Sequence, residues 1–241
     1  MKRPADTIAV VTGASSGVGK AIAIGLARGG AVVCLLGRQL DVLEAMAGSA
    51  RDEEQQMHCY HADLAKDGDV REVSAQLQRD FGHVDVLVHS AGMIINGPLE
   101  SAAVEDLDRQ YRINVRAPYL LTQALLPLLK ARRGQIVFIN STVGLNAVAN
   151  AGQYAATKHA LRAMADSLRA EVNPALVRVL SVFLGRTATP MQAAVHRMEG
   201  RAYRPELLIQ PEDVAMVVLN TLRLPYTVEV TDIHLRPMAK P

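Results

Sequence analysis

The chain has 241 residues, and its 26 Lys and Arg against 24 Asp and Glu give a formal net charge of +2. This near balance gives no reason to expect nucleic acid or an anionic membrane as a partner. Hydrophobic residues make up 49% of the chain and charged residues 21%, which is ordinary for a globular protein. Length and composition therefore predict one large domain, residues 1–241, with a substantial core.

The expected compartment follows from the apolar runs and the cysteines. The basic first residues are followed only by the short apolar run 8–11, so we recognise no signal-peptide core. The longest apolar run, residues 31–36, is far shorter than the ~20 residues that span a bilayer. Cys34 and Cys59 each lie in an apolar stretch, where we expect reduced, packed thiols. We expect a cytoplasmic protein with no membrane partner.

Short apolar runs alternate with stretches of helical length along the chain. The runs of strand type are 8–11, 31–36, 84–90, 135–140 and 177–183, with a weaker candidate at 55–61. The helical stretches include 18–30, 66–82 and 115–133. This alternation predicts an α/β fold, in which a doubly wound and mostly parallel sheet carries helices on both faces. Ligands of such sheets bind beyond the carboxyl ends of the strands, where the strand order reverses.

A glycine-rich turn, TGASSGVG at 12–19, joins the first strand to the first helix. Gly13, Gly17 and Gly19 allow a tight turn and a close backbone approach to a diphosphate, and the helix N-terminus offers free N–H groups. The spacing is G-x-x-x-G-x-G rather than G-x-G-x-x-G, and alone it signals only a turn. Its place between strand and helix predicts a dinucleotide site. Farther along, Asp63 is interpreted either as an acceptor for an adenine amino group or as a helix cap.

A phenol, an ammonium and a hydroxyl near the middle of the chain would converge if the loop after Ser141 folds back onto the next helix. The run 136–140 reads as a strand ending at Ser141, and an Ala-rich helix follows from about Ala151 to Asn173. Tyr154 and Lys158 lie four residues apart, on one face of that helix. A nearby ammonium favours the phenolate and lowers the pKa of a tyrosine, which would suit proton transfer. A Tyr-x-x-x-Lys pair alone is more often surface decoration.

Together these motifs resemble the short-chain dehydrogenase/reductases. The glycine turn, Asp63, the SAG at 90–92, Asn114, Ser141 and YAATK at 154–158 stand in that family's order and spacing, and the resemblance extends to 184–191. It implies a Rossmann-like three-layer sandwich with about seven strands. It also implies that Tyr154 is the general acid/base, and that Lys158 lowers the pKa of Tyr154 and binds the nicotinamide ribose. By the same resemblance, Ser141 would orient the substrate oxygen and Asn114 would hold a water relay.

The resemblance further implies the cofactor contacts and the assembly. The expected nicotinamide-cofactor residues are Gly13, Ser15, Ser16, Gly17, Val18, Gly19, Gly37, Arg38, Asp63, Leu64, Ser90, Ala91, Gly92, Tyr154, Lys158, Gly185, Thr187 and Thr189. Residues 191–205, which lack strong hydrophobic periodicity, fall where the family carries its substrate lid. A homodimer or homotetramer is expected. Two departures stand out: the family's N-N-A-G reads His89, Ser90, Ala91, Gly92, and its Pro-Gly reads Leu184-Gly185.

The tip of the second strand favours one cofactor. Enzymes that use NAD commonly have a carboxylate there, but this chain has Gly37, and Asp41 lies farther on. Arg38 can grip a phosphate bidentately, or it can stack on adenine and serve either cofactor. We expect NADP(H), with NAD(H) as the alternative. No metal is expected, because His58 and His61 would diverge from a strand.

The sequence thus predicts an NAD(P)-dependent oxidoreductase acting on CH–OH or C=O groups of a small to medium molecule. Two alternatives stay open at this point: a non-catalytic dinucleotide-binding regulatory protein, and an isomerase or dehydratase on the same scaffold.

Overall fold

The computed structural model describes residues 6–52 and 55–239. Seven strands alternate with eight helices in these ranges. The strands are β1 (Ile8–Thr12), β2 (Val32–Gly37), β3 (Met57–His61), β4 (Val86–His89), β5 (Gln135–Ser141), β6 (Arg178–Leu184) and β7 (Asp232–Leu235). The helices are α1 (Gly17–Arg28), α2 (Leu40–Asp52), α3 (Asp67–Phe81), α4 (Val104–Tyr111), α5 (Ala117–Arg132), α6 (Gly152–Val172), α7 (Pro190–Met198) and α8 (Pro211–Leu222).

All seven strands form one parallel sheet in the order β3-β2-β1-β4-β5-β6-β7. The direction of strand addition reverses between β1 and β4, so the crevice at their carboxyl ends is the site where such sheets bind ligands. The α/β prediction with a doubly wound parallel sheet is confirmed.

Alternate residues of each strand enter two separate cores, one on each face of the sheet. Val11 of β1 packs in the core formed with α1, α2 and α8, whereas Val10 packs in the core formed with α3, α5 and α6. Both valines are fully buried. The continuous apolar runs seen in the sequence reflect this two-sided burial.

Neither β7 nor α7 was predicted from the hydrophobic pattern. β7 reads DIHL with alternating exposure, because it is the edge strand and only one of its faces is covered. α7 lies in the segment without periodicity, but Thr189 caps it by accepting a hydrogen bond from the Gln192 N–H at 3.1 Å, and Pro190 opens it. No helix in the described ranges is long and apolar enough to cross a membrane.

We predict that Phe138→Ala lowers the free energy of unfolding by about 3–5 kcal/mol, because Phe138 is fully buried in β5 and its removal leaves a cavity. Urea denaturation followed by circular dichroism measures the change. Gln78→Ala, on the exposed face of α3, is the control and should change the free energy by about 0.5 kcal/mol or less. A Phe138→Ala loss as small as that of the control would contradict the assigned core.

Candidate functional site

The carboxyl ends of the strands border a cleft of about 620 Å³. Seventeen cofactor residues expected from the sequence line it: Gly13, Ser15, Ser16, Gly17, Val18, Gly37, Arg38, Asp63, Leu64, Ser90, Ala91, Gly92, Tyr154, Lys158, Gly185, Thr187, Thr189. Ser141, which was expected to orient the substrate, also lines it. Gly19 and Asn114 do not line the cleft and lie behind its wall. The structure therefore brings residues from seven separate loops and elements to one place.

The glycine turn between β1 and α1 is closely packed. Gly13 has φ +65° and Gly17 φ +52°, and a Cβ at Gly13 would lie 2.8 Å from the Ala91 Cα atom. A Cβ at Gly19 would lie 2.4 Å from the carbonyl oxygen of Gly13. Gly19 therefore acts by letting α1 pack against the turn, not by lining the cleft.

The N-terminus of α1 is left open toward the cleft. Ser16 is the N-cap residue but makes no side-chain capping bond, and the first turn holds no acidic residue. The unpaired N–H groups and the positive end of the helix dipole are thus available to an anion. With the close backbone approach at Gly13 and Gly17, this is a cradle that fits a dinucleotide diphosphate.

Thr12 was not singled out in the sequence, yet it joins β1 to the end of β4. Its Oγ1 accepts hydrogen bonds from the Ser90 N–H at 3.0 Å and the Ala91 N–H at 3.1 Å, and it donates to the Val88 carbonyl at 3.3 Å. This arrangement holds the backbone of the SAG turn at the strand crossover. The position of Thr12 at the end of the first strand was the signal that could have identified it from the sequence.

His89, one of the departures from the family pattern, points away from the cleft. Its ring stacks on Phe138 with centroids 4.9 Å apart, and Nε2 lies 2.8 Å from the Thr122 hydroxyl. Burial lowers the pKa of His89 to about 3, so the imidazole is neutral at ordinary pH. The core therefore accommodates a histidine at this position, and the neighbouring Ser90 lines the cleft.

The tips of β2 and β3 form the other end of the cleft. Gly37 ends β2, Arg38 is exposed beside it, and Asp41 lies in α2 as expected. Asp63 lines the cleft, and its Oδ1 accepts a hydrogen bond from the Ala65 N–H at 3.1 Å. Asp63 therefore caps the turn before α3 rather than the helix itself, whose N-cap is Lys66.

Tyr154 and Lys158 are both buried on the face of α6 that packs against β5. The Lys158 Nζ atom donates to the Ile139 carbonyl at 3.0 Å and lies 5.8 Å from the centre of the Tyr154 ring. Ser141, at the end of β5, forms a side-chain hydrogen bond with Tyr154. The three groups expected from the sequence thus meet at the cleft.

The pKa of Tyr154 is raised to about 12 by burial, and the hydrogen bond with Ser141 opposes this only in part. The expectation that Lys158 gives Tyr154 a lowered pKa is therefore wrong for this structure. Burial outweighs the ammonium, which is directed at the Ile139 carbonyl. Burial also lowers the pKa of Lys158 to about 8. At neutral pH Tyr154 is a protonated phenol beside a lysine that is mostly charged.

Two asparagines brace this arrangement from behind. Asn114, in a π-helical turn at Arg112–Arg116, accepts from the Met93 N–H at 2.8 Å and donates to the Met93 carbonyl at 2.8 Å and the Thr157 hydroxyl at 3.0 Å. Asn140 donates to the Lys158 carbonyl at 3.2 Å and accepts from the Ser141 N–H at 2.7 Å. Asn140 precedes Ser141 directly, but no spacing rule identifies it.

The loop after β6 closes the remaining side of the cleft. Leu184, where the family has proline, is buried at the end of β6, and the Gly185 N–H is bonded to the Leu235 carbonyl at 2.8 Å. The strand pairing thus fixes the loop without the proline ring. Arg186 and Pro190, which sequence reasoning missed, line the cleft here. Met191, Gln192, Val195 and Glu199 also line it, and they fall in the segment 191–205 that was expected as the lid.

No group of three or more His, Cys, Asp or Glu side chains within residues 6–52 and 55–239 is arranged to hold a metal ion. The ring of His58 is turned toward α3, where it packs edge-on against Phe81 with centroids 5.3 Å apart.

Several known proteins are similar to this chain over nearly its whole length. A family model described as short chain dehydrogenase matches residues 7–200. An uncharacterized oxidoreductase of Staphylococcus aureus (strain MRSA252) is 30% identical over 234 residues, which cover 97% of this chain and 98% of that protein. An uncharacterized short-chain type dehydrogenase/reductase of Sinorhizobium fredii is 35% identical, covering 95% of this chain and 91% of that protein.

Solved structures superpose on this one over nearly the whole chain. An alcohol dehydrogenase from the archaeon Thermococcus sibiricus, complexed with 5-hydroxy-NADP, superposes with a TM-score of 0.89 at 30% identity, covering 98% of both chains. A metagenomic short-chain oxidoreductase in complex with NADP superposes with a TM-score of 0.84, also at 30% identity and over 98% of both chains.

We predict that the buried Lys158 makes the stability of the ligand-free protein depend on pH. Its pKa falls from 10.5 to about 8 on folding, so between these values the unfolded chain binds more protons and the free energy of unfolding rises with pH. The rise should be about 3 kcal/mol, at about 1.4 kcal/mol per pKa unit. The raised pKa of the buried Cys34 thiol acts in the opposite direction above pH 9 in both proteins, so the quantity to measure by urea denaturation is the difference in free energy of unfolding between wild type and Lys158→Met, which should change with pH by this amount.

The exposed lysine at the end of α5 supplies the control, because Lys130→Met should keep the pH dependence of the wild type. A rise of equal size in Lys158→Met and wild type would contradict the burial of the ammonium.

Proposed function

Because the chain belongs to the short-chain dehydrogenase/reductase family, we propose that it is an NADP(H)-dependent oxidoreductase that interconverts a carbonyl and an alcohol in a small to medium organic substrate. One observation carries the proposal: the buried Tyr154 and Lys158 meet Ser141 at a cleft that also contains the open N-terminus of α1. We assign residues 1–241 to one catalytic domain.

Tyr154 is proposed as the general acid of the reduction. Its raised pKa keeps the phenol protonated at neutral pH, ready to donate to the substrate oxygen. A nicotinamide cofactor bound in the cleft would supply the hydride for the carbonyl carbon. Ser141 donates a hydrogen bond to the same oxygen and holds it beside the phenol. Lys158 places a positive charge next to the phenolate that remains, and this favours the product side of the proton transfer.

Asn114 is proposed as a positioning residue. Its side-chain amide is engaged by Met93 and Thr157, so it holds the cleft wall and α6 together. The water relay inferred from the resemblance is then assigned to the main-chain carbonyl of Asn114, in the π-helical turn, where helix hydrogen bonding is altered.

The proposed cofactor site extends from the glycine turn to the tip of β2. The N-terminus of α1 would bind the diphosphate, Arg38 would face the adenosine ribose, and Thr187 and Thr189 would contact the nicotinamide carboxamide. The missing carboxylate at Gly37 favours NADP(H) over NAD(H). The two related structures described above contain NADP or 5-hydroxy-NADP, which supports this choice.

Residues 191–205 are proposed as the substrate lid. Met191, Gln192, Val195 and Glu199 line the cleft on α7 and just after it, so movement of this helix would change the room available to a substrate. We further propose a homodimer or homotetramer, because exposed Ala156 and Ala163 leave α6 open to close approach by another helix.

The enzymatic proposal is preferred to non-catalytic dinucleotide binding. A regulatory binding protein has no need to bury an ammonium and a phenol at its cleft, since burying the ammonium is costly. An isomerase or dehydratase on this scaffold would turn over substrate without net oxidation or reduction of the nicotinamide.

We predict that Tyr154→Phe lowers kcat about 10²–10⁴-fold, because it removes only the proton donor. The dissociation constant for NADPH should stay at its wild-type value. Initial rates on a carbonyl substrate found with a panel, together with fluorescence titration of NADPH, measure both quantities. Tyr119→Phe, at an exposed position on α5, is the matched control. A Tyr154→Phe protein with near wild-type kcat would refute the assignment.

We predict that Arg38→Ala weakens NADPH binding by about 1.5–3 kcal/mol, the worth of one charge-assisted contact. NADH binding should change far less, because NADH has no 2′-phosphate. Titrations of both cofactors at physiological salt give the comparison, with Arg79→Ala on the exposed end of α3 as control. The choice of cofactor would be overturned if the wild-type protein bound NADH more tightly than NADPH.

A further inference from the structure

Gln110, near the end of α4, has no exposed surface although its side chain is polar. Its amide has a partner at each end. The Oε1 atom accepts a hydrogen bond from the Ile95 N–H at 3.0 Å, and the Nε2 atom donates to the Gln153 Oε1 atom at 3.3 Å. A buried amide is costly unless it is bonded, so these two partners are what allow a glutamine at this position.

Asn114, four residues after Gln110, repeats this arrangement farther along the chain. Its side-chain amide bonds both main-chain groups of Met93 and donates to the Thr157 hydroxyl at 3.0 Å. Both amides therefore connect the same two parts of the protein, the segment 93–97 after β4 and helix α6. The two side chains form an amide ladder with two rungs, the Gln110 rung and the Asn114 rung.

Each rung meets α6 directly before a residue that the proposed reaction uses. Gln153 precedes Tyr154, and Thr157 precedes Lys158. The rungs are four residues apart, and so are their contacts on α6, which places those contacts on one face of that helix. The Thr157 hydroxyl also donates to the Tyr154 carbonyl at 2.8 Å. The ladder thus holds α6 beside the positions of the phenol and the ammonium.

The opposite end of the Gln110 rung holds a wall of the cleft. Ile94 and Asn96 line the cleft, and the N–H bonded to Gln110 belongs to Ile95 between them. Gln110 itself lies behind the wall and does not line the cleft. The rung therefore fixes the distance from this wall to Tyr154 without contact to a ligand.

We propose that Gln110 is a positioning residue that fixes Tyr154 relative to the cleft wall formed by residues 93–97. The inference rests on the proposed oxidoreductase function and adds a residue to it. Proton transfer needs the phenol within hydrogen-bond reach of an oxygen on a substrate that this wall confines. Because a misplacement of about 1 Å can lower a rate about 10²-fold, the rung acts on turnover through geometry.

The test replaces each glutamine of the rung by methionine, which has a similar shape but no N–H donor and only a weak sulfur acceptor. Gln110→Met should lower kcat about 10- to 100-fold on a carbonyl substrate found with a panel, and the dissociation constant for NADPH should not change. Gln153→Met keeps the bond between Gln110 and Ile95, so its loss of kcat should be about 10-fold.

Two controls separate positioning from a general loss of packing. Gln78→Met, on the exposed face of α3, makes the same chemical change away from the ladder and should keep the wild-type kcat. Leu77→Ala, at a fully buried position of α3, leaves a cavity and lowers the free energy of unfolding. It should also keep kcat. A loss of kcat in Leu77→Ala as large as in Gln110→Met would overturn the proposal.

The double variant tests whether the two glutamines act as one unit. If they form one rung, Gln110→Met combined with Gln153→Met should lower kcat no further than Gln110→Met alone, whereas independent effects multiply. Multiplied effects would overturn the proposal. Amide hydrogen exchange of Ile95, followed by NMR, needs no substrate. It should be faster in Gln110→Met than in Gln78→Met, because this N–H has lost its acceptor.

The outcomes distinguish this role from the function on which it rests. An active wild type with undiminished kcat in Gln110→Met overturns the positioning role and leaves the oxidoreductase function standing. Unchanged Ile95 exchange in Gln110→Met overturns the rung itself. If Gln110→Met does not fold, wild-type kcat in Gln153→Met, at a half-buried position, overturns the role. A wild type inactive on a wide carbonyl and alcohol panel, with NADPH and with its oxidised form, would overturn both.

Discussion

The site depends on a two-way clamp between the end of β5 and the middle of α6. Asn140 donates to the Lys158 carbonyl, and Lys158 in turn donates its ammonium to the Ile139 carbonyl. The two elements approach so closely that a Cβ at Gly144 would lie 2.8 Å from the Asn140 Oδ1 atom and 2.9 Å from the Lys158 carbonyl oxygen. Ser141 and Tyr154 are held against each other because the clamp fixes strand to helix.

The clamp also explains the electrostatics of the cleft. Tight packing excludes water from both ionisable groups, which raises the pKa of Tyr154 to about 12 and lowers that of Lys158 to about 8. At neutral pH the phenol of Tyr154 is buried in its neutral form, which costs less than burying a phenolate. The buried ammonium of Lys158 has the Ile139 carbonyl as its acceptor. The ligand-free site is thus set to donate a proton, which matches the reductive direction of the proposed reaction.

Much of this was predictable from local patterns. Continuous apolar runs predicted five of the strands, and the weaker candidate at 55–61 corresponds to β3. β5 extends one residue beyond its run to Ser141. The glycine turn and the Tyr154–Lys158 spacing identified both halves of the cleft, since a turn and a helical repeat are set by neighbouring residues. The helix 151–173 was predicted within a residue of the observed Gly152–Val172.

What the sequence did not provide are interactions between residues far apart in the chain. Thr12 bonds the backbone at Ser90 and Ala91, and Arg186 pairs with Glu199, through contacts that no spacing rule encodes. The predicted direction of the Tyr154 pKa shift was also wrong, because burial is a property of the packed structure and not of the Tyr-x-x-x-Lys motif. β7 was not predicted because an edge strand is covered on one face only and therefore has no continuous apolar run.

The central proposal is that hydride passes directly between nicotinamide and a carbonyl carbon at the cleft that contains Tyr154. The most direct measurement uses NADPH deuterated at C4 of the nicotinamide, prepared as each of the two stereoisomers, with mass spectrometry and NMR of the alcohol product. We predict that one stereoisomer delivers one deuterium to the carbinol carbon in every turnover and that the other delivers none. Product without deuterium from either stereoisomer would contradict it.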